Sequence, residues 1–496
     1  MDDLGYHDLS IMGSDYYETP NIDKIATSRF NFSSGYATGS VCSPSRASLM
    51  TGKFTARHGI TDYIGAPYGA EWRNRRQTKL LPPPYNPHLN HDDVTMPEAL
   101  KENGYNTFFA GKWHLGGEEQ NSLPTDHGFD VNMGGYQLGG PYSGGYFSPF
   151  NNPYMTDREE EKGMSLSMKL AKETSTFIEK NKGGKFLAYL SFYAVHSPIQ
   201  TSEDKWNKYR DKAEAMGIHE DGFEMERLFP IRKHQDNPVY AGLVEQVDDA
   251  VGTVLQTLKE LNLDENTIVI FTSDNGGVAS GDNFSTSNLP LRGGKGYQWE
   301  GGIKIPYFVY VPWMNHKGAN SKVPVSGADL YPTVLELAGL SSNPGQHQDG
   351  ISLVPILEGN SIDSRPLYWH YPHYGNQGGE PNSSVRQGDW KLIHYWEDKH
   401  DELYNLKEDI GERKDLISNE PERAKAMNSQ LMNWLTEVDA KYAVVDTLRD
   451  EAAANLVLED YRNKMLPNQE KRRQDMLKEN WIPNDNWWKS KTAKKD

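Results

Sequence analysis

The stretch VYAGLVEQVDDAVGTVLQTLKELNLDENTIVIFTSDNGG, residues 239–277, decides the fold. Over 239–261, Leu243, Val244, Val247, Val251, Val254, Leu255 and Leu258 recur at helical spacing. Thr267–Thr272 is then a short apolar, β-branched run, which predicts a buried strand. The same order recurs outward from this unit. Residues 163–180 predict a helix through Leu170, Ala171, Thr174, Phe177 and Ile178, and Phe186–Val195 predicts the next buried strand. Further upstream, a helix over 95–104 precedes a strand at Asn106–Ala110; downstream, Tyr307–Val311 is another strand. Helix then strand, repeated with long helices, implies an α/β fold: a large, mostly parallel central sheet flanked by helices on both faces. The pattern breaks at 360–365, so residues 1–362 read as one large domain and 363–496 as a smaller C-terminal α+β subdomain. There Pro366–Tyr374 and Trp390–Trp396 predict antiparallel strands, residues 420–440 and 448–480 a charged helical tail, and the closing KSKTAKKD a frayed end.

Open parallel sheets place their sites beyond the carboxyl ends of the strands. Strand 106–110 runs into Gly111-Lys112-Trp113-His114, strand 186–195 into His196-Ser197-Pro198, and strand 267–272 into Ser273-Asp274-Asn275-Gly276. Composition narrows the chemistry. A net charge of −17 without a basic block argues against sequence-independent nucleic-acid binding. One cysteine among 496 residues excludes intrachain disulfides and four-cysteine zinc sites. No apolar run is long enough for a membrane span, and Met1-Asp2-Asp3 carries no secretory signal. The lone Cys42 lies in Cys42-Ser43-Pro44-Ser45-Arg46, where Pro44 suits a first helical turn. A cysteine at a helix N-terminus faces an anion-favouring dipole; the competing reading is a small buried hydrophobe.

Cys42-x-Pro44-x-Arg46 resembles the signature of the type I sulfatases, whose cysteine is oxidised to Cα-formylglycine. Asp2-Asp3-Leu4-Gly5-Tyr6, Gly111–Gly116, His196-Ser197-Pro198, Ser273–Gly276, Arg292–Gly296 with Glu300-Gly301-Gly302, Arg386–Lys391 and Glu402–Leu406 match the family in order, so the resemblance spans roughly residues 1–435. It implies an alkaline-phosphatase-like fold. It also implies a calcium ion held by Asp2, Asp3, Asp274, Asn275 and the modified residue 42, an all-oxygen set that suits Ca2+. Arg46 matches the residue that holds the formylglycine, and Lys112, Lys295 and His196 match sulfate-contacting positions. The hydrated aldehyde would attack sulfur, His196 would protonate the departing alcohol, and His114 would assist release of sulfate. Each residue has a plainer rival: Lys112 as a loop lysine, His196 and Asp274-Asn275-Gly276 as turn chemistry, Lys295 as part of a Gly-rich stretch that lacks the full phosphate-loop pattern. His88 and His91 read as ordinary surface residues.

The chain departs from the family at its start, where an apolar strand ordinarily precedes the Asp-Asp pair. That first strand is expected to be missing here, from a truncated or misassigned start, and the full protein to be periplasmic or secreted. For the substrate, Trp72, Arg73, Arg75 and Arg76 form a basic, aromatic insertion, and His370 and His373 lie in a Tyr/Trp-rich segment that could rim the cleft. The favoured substrate is a sulfated carbohydrate: an algal polysaccharide such as ulvan or carrageenan, or a glycosaminoglycan fragment. A formylglycine-generating maturase is the implied protein partner. The alternatives are a phosphonate monoester hydrolase or phosphodiesterase of the same superfamily, and a non-catalytic sulfated-glycan binder. The binder would be marked by loss of Cys42, Lys112 or His114, and all three are present.

Overall fold

A computed structural model of the chain describes residues 1–27, 30–142, 144–217, 221–314 and 319–481. The closing KSKTAKKD lies outside them. Eleven strands matter for the site. They are β1 (Phe30–Phe32), β2 (Asn106–Gly111), β3 (Val131–Met133), β4 (Phe186–Ser191), β5 (Val269–Thr272), β6 (Tyr307–Tyr310), β7 (Asn320–Ser321), β8 (Leu367–Tyr371), β9 (Asn382–Gln387), β10 (Trp390–Tyr395) and β11 (Asp401–Asn405).

The central sheet is split in two. One half is parallel, in the order β3-β2-β4, with Asn106 opposite Phe186 and Phe108 opposite Val131. The other half, β7-β1-β6-β5, is mixed. There β6 runs antiparallel to both β1 and β5, because the chain returns from β5 through loops and the short turn Glu300–Ile303 rather than through a crossover helix. Among the described residues no ladder joins β4 to β5. Between them runs a groove of about 590 Å³ lined by Met1, Ile178, Ala188, Leu190, Val251 and Ile270, among others. At its mouth the first residues of the chain supply backbone hydrogen bonds to both sides. The Met1 ammonium donates to the Thr272 carbonyl at 2.8 Å, and the Asp274 N–H donates to the Met1 carbonyl at 3.2 Å, the hydrogen-bond pattern of a parallel pair. On the other side the Asp2 N–H donates to Ala194 O at 3.2 Å, and the Val195 N–H donates to Asp2 O at 2.7 Å. One more strand, running into Met1, would complete the sheet.

The helices form as their periodicity requires. Residues 166–181 start at the Ser165 cap, and Pro238–Glu260 start at Asn237, whose side chain accepts from two backbone N–H groups. Their apolar stripes, Leu170 and Phe177 on one and Leu243, Val247 and Val251 on the other, bury into one core over the sheet. The helix Met96–Glu102 opens with a capping box between Thr95 and Glu98.

Downstream, β8-β9-β10-β11 form a continuous antiparallel meander. Its inner face and the helix Pro421–Glu437 share a core with Tyr36, Phe54, Ile303 and Ala328 of the larger region. The Tyr368 ring stacks on Trp434 at 4.4 Å, and Trp369 Nε1 donates to Ala37 O at 2.7 Å. The tail is helical over 451–460 and 466–476, with one wider π turn between. No described helix is long and apolar enough to cross a membrane.

Candidate active site

Several segments deliver buried charged side chains to the mouth of the groove. β2 ends at Gly111, whose φ of +104° and 1.8 Å clash between any added Cβ and Ser191 O allow only glycine. Lys112 follows, fully buried, with Nζ 2.9 and 2.8 Å from the two carboxylate oxygens of Asp2. Lys295 Nζ donates to Asp3 Oδ2 at 2.8 Å. Arg46 Nε donates to Asp274 Oδ2 at 2.8 Å, and its Nη1 donates to the Lys112 carbonyl and to Ser191 Oγ, each at 2.8 Å. Three carboxylates are thus balanced by three cations away from water, as burial of charge demands. Arg46 comes from the helix Cys42–Thr51, which begins at Cys42, so the thiol sits at the helix N-terminus. Its Sγ is 4.0 Å from Asp3 Oδ1.

The electrostatics follow from this packing. Burial pushes the Asp2 carboxyl up to about 7, against the pull of Lys112. Burial acts on Asp274 too, but Arg46 and Lys112 outweigh it and hold that carboxyl well below the usual range. Asp3 is likewise lowered, by Lys295 and His196, despite its burial. Burial, and then Lys112, push His114 well below the usual histidine value, so it is neutral. His114 Nε2 lies 3.0 Å from the Ile64 carbonyl and must donate to it, which leaves Nδ1 as a buried acceptor with no protein partner. His196 Nδ1 donates to Ser197 O at 2.6 Å, and its Nε2 lies 3.9 Å from Asp3 Oδ2.

The donor set fits a hard cation. Asp2, Asp3 and Cys42 each bring a ligand atom within 4.8 Å of the others. Asn275 Nδ2 donates to Asp3 Oδ1 at 2.9 Å, while Asn275 Oδ1 is buried without a protein donor. Carboxylate and amide oxygens gathered in this way match a hard cation rather than zinc or copper.

The structure therefore brings together Cys42, Arg46, Lys112, His114, His196 and Lys295 with Asp2, Asp3, Asp274 and Asn275. The four residues named for the substrate rim are occupied elsewhere. Arg73 forms a bidentate pair with Asp446 at 2.6–2.9 Å. Arg76 donates to Gly375 O at 2.9 Å and lies over the rings of Trp72 and Phe229. Buried His370 is held between Ser383 Oγ and Lys441 O, at 2.7 and 2.8 Å. His373 is fully buried against Thr61 and Asp62. The two arginines are held by partners distant in sequence and the two histidines are buried, which local composition could not show. Conversely, Ser191 and Asp8 had no distinguishing signal. Asp8 accepts from Gly5 N, Tyr240 Oη and Thr286 Oγ1 at 2.6–2.8 Å, pinning the loop behind the Asp-Asp pair, and burial raises it to about 6.

A sulfatase family model matches residues 1–340, and the model of the C-terminal part of N-sulphoglucosamine sulphohydrolase matches residues 294–441. The chain belongs to the sulfatase family. It is 31% identical to a sulfatase of Formosa agariphila over 88% of both chains. It is 30% identical to the N-acetylgalactosamine-6-sulfatase of Canis lupus familiaris over 80% of this chain and 70% of that one. Among solved structures, Ps i-CgsB superimposes with a TM-score of 0.71 at 27% identity, covering 95% of this chain and 98% of the other. The phosphonate monoester hydrolase of Agrobacterium radiobacter shares the fold, with a TM-score of 0.59 at 17% identity. All ten residues of the buried cluster lie within the span that the sulfatase model matches.

Proposed function

We propose that this sulfatase hydrolyses sulfate esters of a carbohydrate, with Cys42 converted to formylglycine and a calcium ion held by Asp2, Asp3, Asp274, Asn275 and residue 42. One observation carries this reading: an unpartnered buried amide oxygen, three buried carboxylates and the Cys42 thiol converge at the N-terminus of one helix, ringed by Arg46, Lys112 and Lys295. When present, the modified side chain supplies a hydrated aldehyde as nucleophile, and the ion supplies positive charge for sulfate oxygens. The chain's own residues do the rest. Lys112 and Lys295 now neutralise Asp2 and Asp3; with a cation bound there, both ammonium groups are available to an anionic substrate. Arg46 fixes Asp274 and the Lys112 backbone, so it sets the geometry of both. His114, neutral with Nδ1 open, is suited to accept a proton, and His196 Nε2 faces the same space to deliver one to the leaving alcohol.

The relatives support a sugar substrate. The canine relative is named for N-acetylgalactosamine 6-sulfate, and Ps i-CgsB is also known in complex with k-i-k-neocarrahexaose. Activity in the periplasm or outside the cell accords with polymeric substrates of that kind. The test is coexpression with a formylglycine-generating enzyme, mass analysis of the peptide spanning residue 42, and assay of aryl sulfate, aryl phosphodiester and sulfated sugars with and without Ca2+. Sulfate ester turnover that requires both the modification and calcium is expected. Preference for the phosphodiester, or full activity with unmodified Cys42, would refute the reading.

A further inference from the structure

The entrance to the site carries two side chains that ester hydrolysis itself does not use. Tyr142 is 57% exposed, whereas Tyr136 and Tyr146 in the same Gly-rich loop are buried. Its ring meets His196 edge-on at 6.0 Å. The preceding glycine pair sets this position. A Cβ on Gly139 would come within 2.6 Å of the His114 ring, and one on Gly140 within 2.8 Å of Tyr142 Cζ and 3.1 Å of His196 Nδ1. The loop can therefore lie directly on both histidines and stand Tyr142 beside them. The Tyr142 hydroxyl is within electrostatic range of Lys295, Cys42 and Asp282. Asp282 is exposed, and its carboxylate is tethered by Gln377 Nε2 at 2.8 Å. Gln377 in turn packs on Gly296, next to Lys295, which places the carboxylate in range of that lysine. A ring face held open beside a leaving-group histidine suits the apolar face of a pyranose. A fixed carboxylate at the rim accepts hydroxyl donors and repels a second anion.

Building on the sugar reading above, we propose that Tyr142 and Asp282 determine which sugar leaves. The Tyr142 ring stacks on the pyranose, and Asp282 accepts from a hydroxyl beside the sulfate ester, selecting against a sugar sulfated at that neighbouring position.

The test uses the modified, calcium-loaded enzyme. The monosulfated probe is the better cleaved of N-acetylgalactosamine 6-sulfate and a monosulfated neocarrabiose; the disulfated probe is N-acetylgalactosamine 4,6-disulfate. Inhibition by inorganic sulfate reports the inner site alone. Tyr142→Ala should lower kcat/KM on the monosulfated sugar tenfold or more, chiefly through KM, without shifting the sulfate inhibition constant. Tyr142→Phe should restore the loss, since stacking needs only the ring. Asp282→Asn should narrow the preference for mono- over disulfated sugar by about tenfold. If Tyr142→Ala weakens sulfate inhibition by the same factor, the tyrosine merely positions the inner site and the proposal fails. Unchanged discrimination in Asp282→Asn also overturns it. A wild-type enzyme that cleaves aryl sulfate but neither sugar removes the subsite and the sugar reading together, while leaving the sulfatase chemistry intact.

Discussion

The two main sheets contrast sharply. In the C-terminal meander, β9 is buried along Asn382–Arg386 and laddered on both sides. In the central sheet, β4 is only half-buried from Phe186 to Leu190, and β5 is half-buried at three of its four residues. Both face the unfilled groove. Yet all the candidate chemistry sits at the ends of the split sheet. A site at strand ends needs only the strand termini to converge, and Met1 and Asp2 tie those termini across the gap. The complete sheet supplies packing area instead, burying Leu392 and Leu403 against Leu431 and Trp434 of the helix Pro421–Glu437. Stability and chemistry are therefore separable by region, and substitution can test this.

The largest effect is expected at Lys112. Lys112→Ala removes the cation on Asp2 and should lower kcat/KM on aryl sulfate by about 10³, or roughly 4 kcal/mol of barrier. Without calcium it should also destabilise the fold, since a buried carboxylate loses its partner. Activity within tenfold of wild type would break the assignment of chemistry to this edge. Next comes the groove. An apolar, β-branched extension of six to eight residues ahead of Met1 should raise Tm by on the order of 5 °C, and slow amide exchange in β4 and β5. A Gly/Ser extension of equal length should do neither, and equal effects from both would show that the groove takes no strand. On the helix Pro421–Glu437 that covers the other sheet, Trp434→Ala deletes the ring stacked on Tyr368 and should cost about 3–5 kcal/mol, read by denaturant unfolding, with kcat on aryl sulfate unchanged. A fall in kcat larger than twofold would mean that the sheets are coupled.

The smallest effect is in pH dependence. Burial depresses His370 to about 4 from the ordinary 6.5. The unfolded chain therefore binds the proton more readily between those values. This contribution to stability is whole above pH 6.5 and is lost as pH falls toward 4. His370→Gln should flatten the decline of Tm across that window by on the order of a degree. An unchanged slope would show that His370 is not a source of acid sensitivity.

Much of this was legible in the chain. Periodicity located the helices to within a few residues, because an apolar stripe at Leu243, Val247 and Val251 has no other stable use. The ends of β2 and β5 announced themselves as apolar runs breaking into Lys112 and Asp274. The rim did not. Arg73 and Arg76 look like free cations in sequence, but their partners Asp446 and Gly375 lie about 300 residues or more away. Likewise, nothing local distinguishes exposed Tyr142 from buried Tyr136 and Tyr146.

By itself, then, the sequence determined the secondary elements, the α/β class, the family signature around Cys42 and the residue types of the site, since these depend on local pattern. Only the tertiary structure decided which charges neutralise which, that His114 keeps Nδ1 open, that β6 runs antiparallel within the central sheet, and that Arg73, Arg76, His370 and His373 are held by other partners. Those outcomes depend on burial and on contacts between distant segments, where the cost of an unpaired charge or an uncovered strand is set by whatever the fold brings alongside.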